Sequence, residues 1–268
     1  MNALRLLAWL ALFAAAVAQA QSPASVSLEE LTWTELRDAI RSGKTIVIVP
    51  VGGTEQSGPH MALGKHNVRV RMLAERIARG LGNAIVAPVV AYVPEGDVSP
   101  PTSHMRFTGT VSVPSEVFQR VLESAAKSFR QHGFRDVVFI GDHGGYQKDL
   151  RTVADRLDRE WKGTPTRAHA LDAYYRASEN EYKAALRSRG YRDEEIGTHA
   201  GLADTSLTLA LAPALVRTER LKSGSRFAVA EGVYGDPTRS SADLGQLGVE
   251  AIVAESVTAI RKATSGRR

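Results

Sequence analysis

Glu55, His60 and His66 stand in one connection, "VGGTEQSGPHMALGKHN" (residues 51–67), directly after the apolar run "TIVIVPV". Two further groups of the same kind follow. "GDHGG" places Asp142 and His143 after the run "VVFI", and "GTHAGLADTS" places His199 and Asp204 at the start of a late helical stretch. His104 lies in the long loop "PEGDVSPPTSHMRFTGTVSV". Imidazole and carboxylate groups are the donors that hold zinc, manganese or iron, and a site that keeps one position open for water is hydrolytic. Taken one at a time these residues have plainer uses. A loop histidine is often solvated, Asp142 or Asp204 suits a helix cap, and the glycines of "GDHGG" could cradle an anion at a helix start. Neither a P-loop nor a G-x-G-x-x-G pattern is present, so nucleotide chemistry has no support.

The elements that must position these groups are legible from periodicity. "TIVIVPV", "AIVAPVVAYV", "DVVFI" and "TRAHALDAYY" read as strands, the first three as solid apolar runs buried on both faces. Before and between them lie amphipathic helical stretches: "SLEELTWTELRDAIRSGK" ahead of the first strand, then "VRVRMLAERIARGLG", "PSEVFQRVLESAAKSFRQHGF" and "YQKDLRTVADRLDREW". The helical "ENEYKAALRSRG", "ADTSLTLALAP" and "QLGVEAIVAESVTAIRKA" come later. Strands alternating with helices predict a single three-layer α/β/α domain with a mainly parallel central sheet. In such sheets ligands bind beyond the carboxyl ends of the strands, where the polar clusters fall. His132 and His169, at a helix end and in a strand, are read as structural.

The 268-residue chain has a formal net charge of +5 and no cysteine. Disulfide and thiol chemistry are therefore excluded, and any metal is held by N and O ligands. The positive charge is mild and partly collected in the tail "RKATSGRR", with no basic aromatic face of the kind that binds nucleic acid. "MNALR", a short apolar run and "AQA" predict a signal peptide over residues 1–20, cleaved after Ala20. The apolar run is shorter than the roughly 20 residues a spanning helix needs. The expectation is a soluble exported protein, periplasmic or secreted, with residues 21–268 as its one domain.

Five stretches in order carry a resemblance to the creatininase family of metal-dependent amidohydrolases. "PVGGTEQSGPHMALGKH" resembles P-V-G-S-x-E-Q-H-G-P-H-L-P-L-x-T-D. "HMRFTGTVSV" resembles H-x-x-F-P-G-T-x-S-L, and "GDHGG" resembles N-G-H-G-G-N. "HAGLADTSLTLALAP" and "GVYGDPTRSSADLG" resemble the family's H-A-G-x-x-E-T-S-x-M-L-A-L-x-P and G-V-x-G-D-P-x-x-A-T-x-E-x-G. The resemblance implies a creatininase-like fold, hydrolysis of a C–N amide bond in a cyclic, formyl or terminal amide, and two divalent metals. It also implies a homo-oligomer, in some relatives a hexamer.

Residue by residue, the resemblance makes Glu55 and His143 metal ligands and His199 the group that passes a proton to the leaving nitrogen. Two positions depart. Ser57 stands where the family has a ligand histidine, and His66 where it has the aspartate that bridges both metals. A neutral imidazole offers one lone pair to one metal and cannot bridge. Glu55, His66 and His143 then form a His₂Glu set suited to one metal per chain, zinc first, with manganese or iron as alternatives. Asp204 is expected as a further ligand, as a base that orients the water, or as a helix cap. Backbone N–H groups of Gly144 and Gly145 are candidate oxyanion donors. Ser57, His60, His104 and Asp142 are expected around the ligands or substrate. Creatinine-degrading relatives use tryptophans near the substrate, and the second half of this chain has only Trp161, so another small amide, lactam or peptide terminus is expected. The competing readings are a metal-free binding protein on the same fold and an exported lactonase.

Overall fold

The computed structural model describes residues 25–222 and 226–266. The expected signal peptide lies outside them. Among the described residues no helix is long and apolar enough to cross a membrane.

Four parallel strands form the sheet: β1 (Ile46–Val51), β2 (Ala84–Val86), β3 (Asp136–Gly141) and β4 (Arg167–Ala170), in the order β2-β1-β3-β4. The helices are α1 (Trp33–Arg41), α2 (Lys65–Leu81), α3 (Ser115–Gln131), α4 (Gln147–Glu160), α5 (Asp172–Ala177), α6 (Lys183–Arg187), α7 (Asp193–Ile196), α8 (Leu202–Leu211) and α9 (Ala242–Ser265). A π turn, Ser178–Tyr182, joins α5 to α6.

Alternation along β1 and β3 assigns the layers, because successive side chains point to opposite faces. Ile46, Ile48, Val138 and Ile140 pack with Val70, Leu73 and Ile77 of α2, Leu207 of α8 and Ile252 of α9. Val47, Val49, Val137 and Phe139 pack on the other face with Phe118 and Leu122 of α3 and Leu150 and Val153 of α4. The expected three-layer α/β/α fold is thus present, and all four strands are parallel.

Two boundaries differ from expectation. The run "AIVAPVVAYV" is a strand only over Ala84–Val86; beyond Pro88, which has no N–H to donate, it makes isolated bridges such as Val51↔Val90 and Val93↔Ser112. Helix α2 begins at Lys65 rather than Val68. His66 is therefore in the first helical turn and not in the loop.

The chain leaves β1 toward β2 on one side and returns to β3 on the other. The carboxyl ends of β1 and β3 consequently face a crevice at a topological switch point, the expected place for a ligand. Tyr146 fixes this end of the sheet. Its buried hydroxyl lies 2.8 Å from the carbonyl of Val51 and 2.6 Å from that of Gly52, and it accepts from the His143 N–H at 3.1 Å.

Candidate metal centre

Four side chains from four separate segments meet over this crevice. Glu55 comes from the loop after β1, Glu95 from the loop after β2, His104 from a short 3₁₀ turn (Ser103–Arg106) and His143 from the turn after β3. One donor atom from each lies within 4.8 Å of all the others. Glu55 Oε2 is 3.3 Å from His104 Nε2 and 3.5 Å from His143 Nε2, and Glu95 Oε2 is 3.7 Å from His143 Nδ1.

The electrostatics of the group are those of a site short of one cation. Among the described residues, Oε2 of Glu55 and both carboxylate oxygens of Glu95 are buried without a hydrogen-bond donor, an arrangement that costs free energy unless something positive meets them. Burial, reinforced by the charge of Glu55, pushes the Glu95 carboxyl up to about 9. Two carboxyl groups this close do not both ionise without a cation. Burial also lowers His143 to about 4, against the pull of Glu55, and lowers His104. Neutral imidazoles beside donor-less carboxylates match the requirements of a divalent metal such as zinc.

Glycine makes the approach possible. Gly53 has φ +151°, and a Cβ there would sit 2.6 Å from Glu95 Oε1. Gly53→Ala is therefore expected to displace Glu95 and weaken metal affinity about 10–100-fold, the range seen when a ligand's support is lost. Isothermal titration of the folded variant with zinc or manganese would measure it.

A second, cationic cluster lies against the first. Lys65, His66 and Arg69 project from the opening turns of α2 and are buried. His66 sits between two carboxylates, with Nε2 2.7 Å from Glu55 Oε1 and Nδ1 2.6 Å from Asp142 Oδ2. Burial would raise both carboxyls, but His66, His143 and Lys65 hold Glu55 well below the usual range, and Arg69 and His66 lower Asp142. His66 thus links the two carboxylates through its two ring nitrogens. Asp142 further accepts from Arg69 Nη2 at 2.7 Å and from the Tyr174 hydroxyl at 2.8 Å. Asp204, in the first turn of α8, accepts from Lys65 at 2.5 Å, from Arg69 and from the Ala200 N–H at 2.9 Å. Burial opposes its ionisation, but Lys65 and Arg69 hold it well below the usual range.

The structure therefore brings Glu55, His143 and His104 into one group and adds Glu95, which the sequence reading passed over. It sets His66 and Asp204 beside that group, each bonded to protein partners. Gly144 lines the adjoining cavity, whereas the Gly145 N–H is already engaged with His143 Nδ1 at 3.2 Å. His60 is buried against Thr205 and Phe227, with Nε2 2.9 Å from the Thr205 hydroxyl. The Ser57 hydroxyl is buried without a partner. Of the two structural histidines, His132 caps α3 and His169 bonds Asp136 across β4 and β3 at 3.0 Å.

A cavity of about 190 Å³ opens from this crevice, lined among others by Lys65, His104, His143, Tyr175, His199 and Asp204. None of its lining residues is a tryptophan; Trp161 is buried in the core on the α3–α4 face. His199 stands at the cavity wall with Nε2 3.0 Å from the Gln56 carbonyl and Nδ1 3.7 Å from Glu55 Oε1. The Gln56 side-chain amide nitrogen, which only donates, lies 3.1 Å from the same Nε2, so this nitrogen faces both a donor and an acceptor. The Gln56 side-chain amide then donates to His104 Nδ1 at 3.1 Å. Burial, assisted by the Lys65 charge, lowers His199 to about 3, which leaves it neutral at physiological pH.

A parallel α/β sheet whose switch point collects carboxylates and neutral imidazoles defines the class: a metal-dependent hydrolase. The creatininase family model, described as creatinine amidohydrolase, matches residues 29–260, and the chain belongs to that family. It is 31% identical over 210 residues to the mycofactocin precursor peptide peptidase of Mycolicibacterium smegmatis, covering 75% of this chain and 78% of that one. It is 27% identical over 202 residues to the creatinine amidohydrolase of Pseudomonas putida, with 74% and 76% covered. Among solved structures, a manganese form of creatininase superposes with a TM-score of 0.73 at 25% identity over 90% of this chain and 99% of that chain. A zinc–zinc form of a creatininase variant gives 0.70 at 23%, over 90% and 98%.

Proposed function

We propose that this protein hydrolyses a C–N amide bond of a small molecule or peptide terminus, using one divalent metal per chain held by Glu55, Glu95, His104 and His143. The observation that carries the reading is the set of buried carboxylate oxygens without donors, facing two imidazoles held neutral by burial. A bound zinc, manganese or iron ion would lower the pKa of water toward neutrality and polarise the scissile carbonyl. The relatives support an amide substrate: one is named for a peptide precursor and another for creatinine. The absence of tryptophan from the cavity lining favours a substrate other than creatinine.

The chain's own residues supply the rest. Glu95 and Glu55 would hold the metal, and Glu55 is itself fixed by His66. His199, neutral and standing beside Glu55 at the cavity wall, would take the proton that the attacking water loses and return it to the leaving nitrogen. This is the general base–acid exchange that a positioned imidazole performs. Asp142 and Arg69 keep His66 in place, and the Tyr175 and Thr198 side of the cavity receives the remainder of the substrate. The N-terminal segment "LLAWLALFAAAVAQA" supports export to the periplasm or beyond, and the family resemblance supports a homo-oligomer.

The protonation of Glu95 gives a quantitative expectation. Its folded-state value of about 9 lies above the ordinary 4.5, so between these limits the metal-free site holds a proton that metal binding must expel. Affinity should rise roughly tenfold per pH unit between pH 5 and 8, with about one proton released per metal at pH 7. Calorimetric titrations in buffers of different ionisation enthalpy measure that proton directly. The functional reading itself is tested by screening metal-loaded protein against small amides, lactams and peptide amides. Turnover that chelation abolishes and metal restores supports it, and binding without turnover would favour the metal-free binding reading.

A further inference from the structure

We propose that the Lys65 ammonium is a built-in substitute for a second metal ion, fixed across the Glu55 carboxylate from the candidate ligands. The proposal rests on the single-metal reading above and supplies its physical cause.

Glu55 has two faces. Its Oε2 looks toward His104 and His143 and has no donor. Its Oε1 looks the other way, toward His66 at 2.7 Å, Lys65 at 3.7 Å and His199 at 3.7 Å. In two-metal hydrolases a pair of cations lies about 3.5–4 Å apart. Here one side of the carboxylate offers open ligand atoms and the other is already occupied by the Lys65 ammonium and the His66 ring.

The placement of Lys65 is improbable for an ordinary lysine. Its side chain is 0% exposed, and buried lysines are rare unless paired. It occupies the first position of α2, where the helix dipole disfavours positive charge. Both penalties are offset by the two carboxylates it joins, Glu55 and Asp204. Arg69, one turn further along α2, closes the same cluster by pairing with Asp204 and Asp142.

Two of the departures from the family pattern, Lys65 and His66, fall on this side as well. Ser57 stands for a ligand histidine, and Lys65–His66 stand where the pattern reads T-D. The chain lacks a ligand and the bridging carboxylate, and it places a fixed positive charge beside Glu55. That charge repels a second dication and neutralises the carboxylates such an ion would have served.

The test compares metal content at saturating zinc or manganese, after gel filtration, in the full chain and in the triple variant Ser57→His, Lys65→Thr, His66→Asp. One equivalent in the natural protein and two in the folded variant are expected. Lys65→Ala is the companion in case the triple variant does not fold. Its melting temperature should rise in two steps as metal is titrated, where the natural protein shows one. Two equivalents in the natural protein would overturn the substitution and leave the metal-dependent reading standing. A folded triple variant that stays at one equivalent, or a Lys65→Ala titration with a single step, would also overturn it. No metal in the natural protein would overturn both readings together.

Discussion

Glu55→Gln is expected to abolish stoichiometric metal binding and to lower turnover of any amide the natural protein cleaves by about a thousandfold or more. The estimate takes the several kcal/mol that a Lewis-acid ion contributes to a hydrolytic transition state, at about 1.4 kcal/mol per tenfold in rate. The substitution is nearly isosteric, so the effect is one of charge and donor chemistry. Glutamine keeps one acceptor oxygen and puts an N–H₂ group at the other position. Whichever way the amide turns, it loses either the oxygen that faces His104 and His143 or the one that accepts from His66. Metal content by mass spectrometry and the rate of hydrolysis should fall together, with the circular dichroism spectrum unchanged.

Asp142→Ala is expected to act mainly on stability. Its carboxylate accepts from His66, from Arg69 and from the Tyr174 hydroxyl, all buried. Removing it leaves the Arg69 guanidinium with Asp204 alone and His66 Nδ1 and the Tyr174 hydroxyl without their acceptor inside the protein. Breaking a buried pair in this way costs about 3–5 kcal/mol. For a domain of this size that is a fall in melting temperature on the order of 10 °C. Asp142→Asn should cost less, because the amide oxygen still accepts one of these bonds. Thermal unfolding of the metal-free proteins measures both. A loss confined to activity, with unchanged melting, would mean that the Asp142 network does not hold α2 to the sheet.

Much of this was readable in the chain before folding. The runs that became β1 and β3 are short, apolar and β-branched, so their burial on both faces followed from composition. The alternation of strand and helix gave the layers, and the glycine-rich turns at strand ends pointed to the crevice. Glu55, His104 and His143 were all among the residues singled out there. Glu95 was not, because "VPEGD" looks like any polar loop. Only the bridge of Val93 to Ser112 and the close approach to Gly53 carry its side chain into the centre. Lys65 and Arg69 were equally hidden. Basic residues at i and i+4 usually form a solvated helix face, and these are buried because Glu55, Asp142 and Asp204 converge on them from three other segments. His66 shows the converse limit. Its place in a motif suggested a ligand, whereas the earlier start of α2 turns it between two carboxylates.

The placement of the metal is the central claim, and anomalous diffraction from crystals grown with manganese or zinc tests it most directly. One peak is expected, about 2.0–2.2 Å from oxygens of Glu55 and Glu95 and nitrogens of His104 and His143, with no peak between Glu55 and Asp204. A peak ligated by His66, a second peak beside Asp204, or no peak in metal-loaded crystals would contradict it.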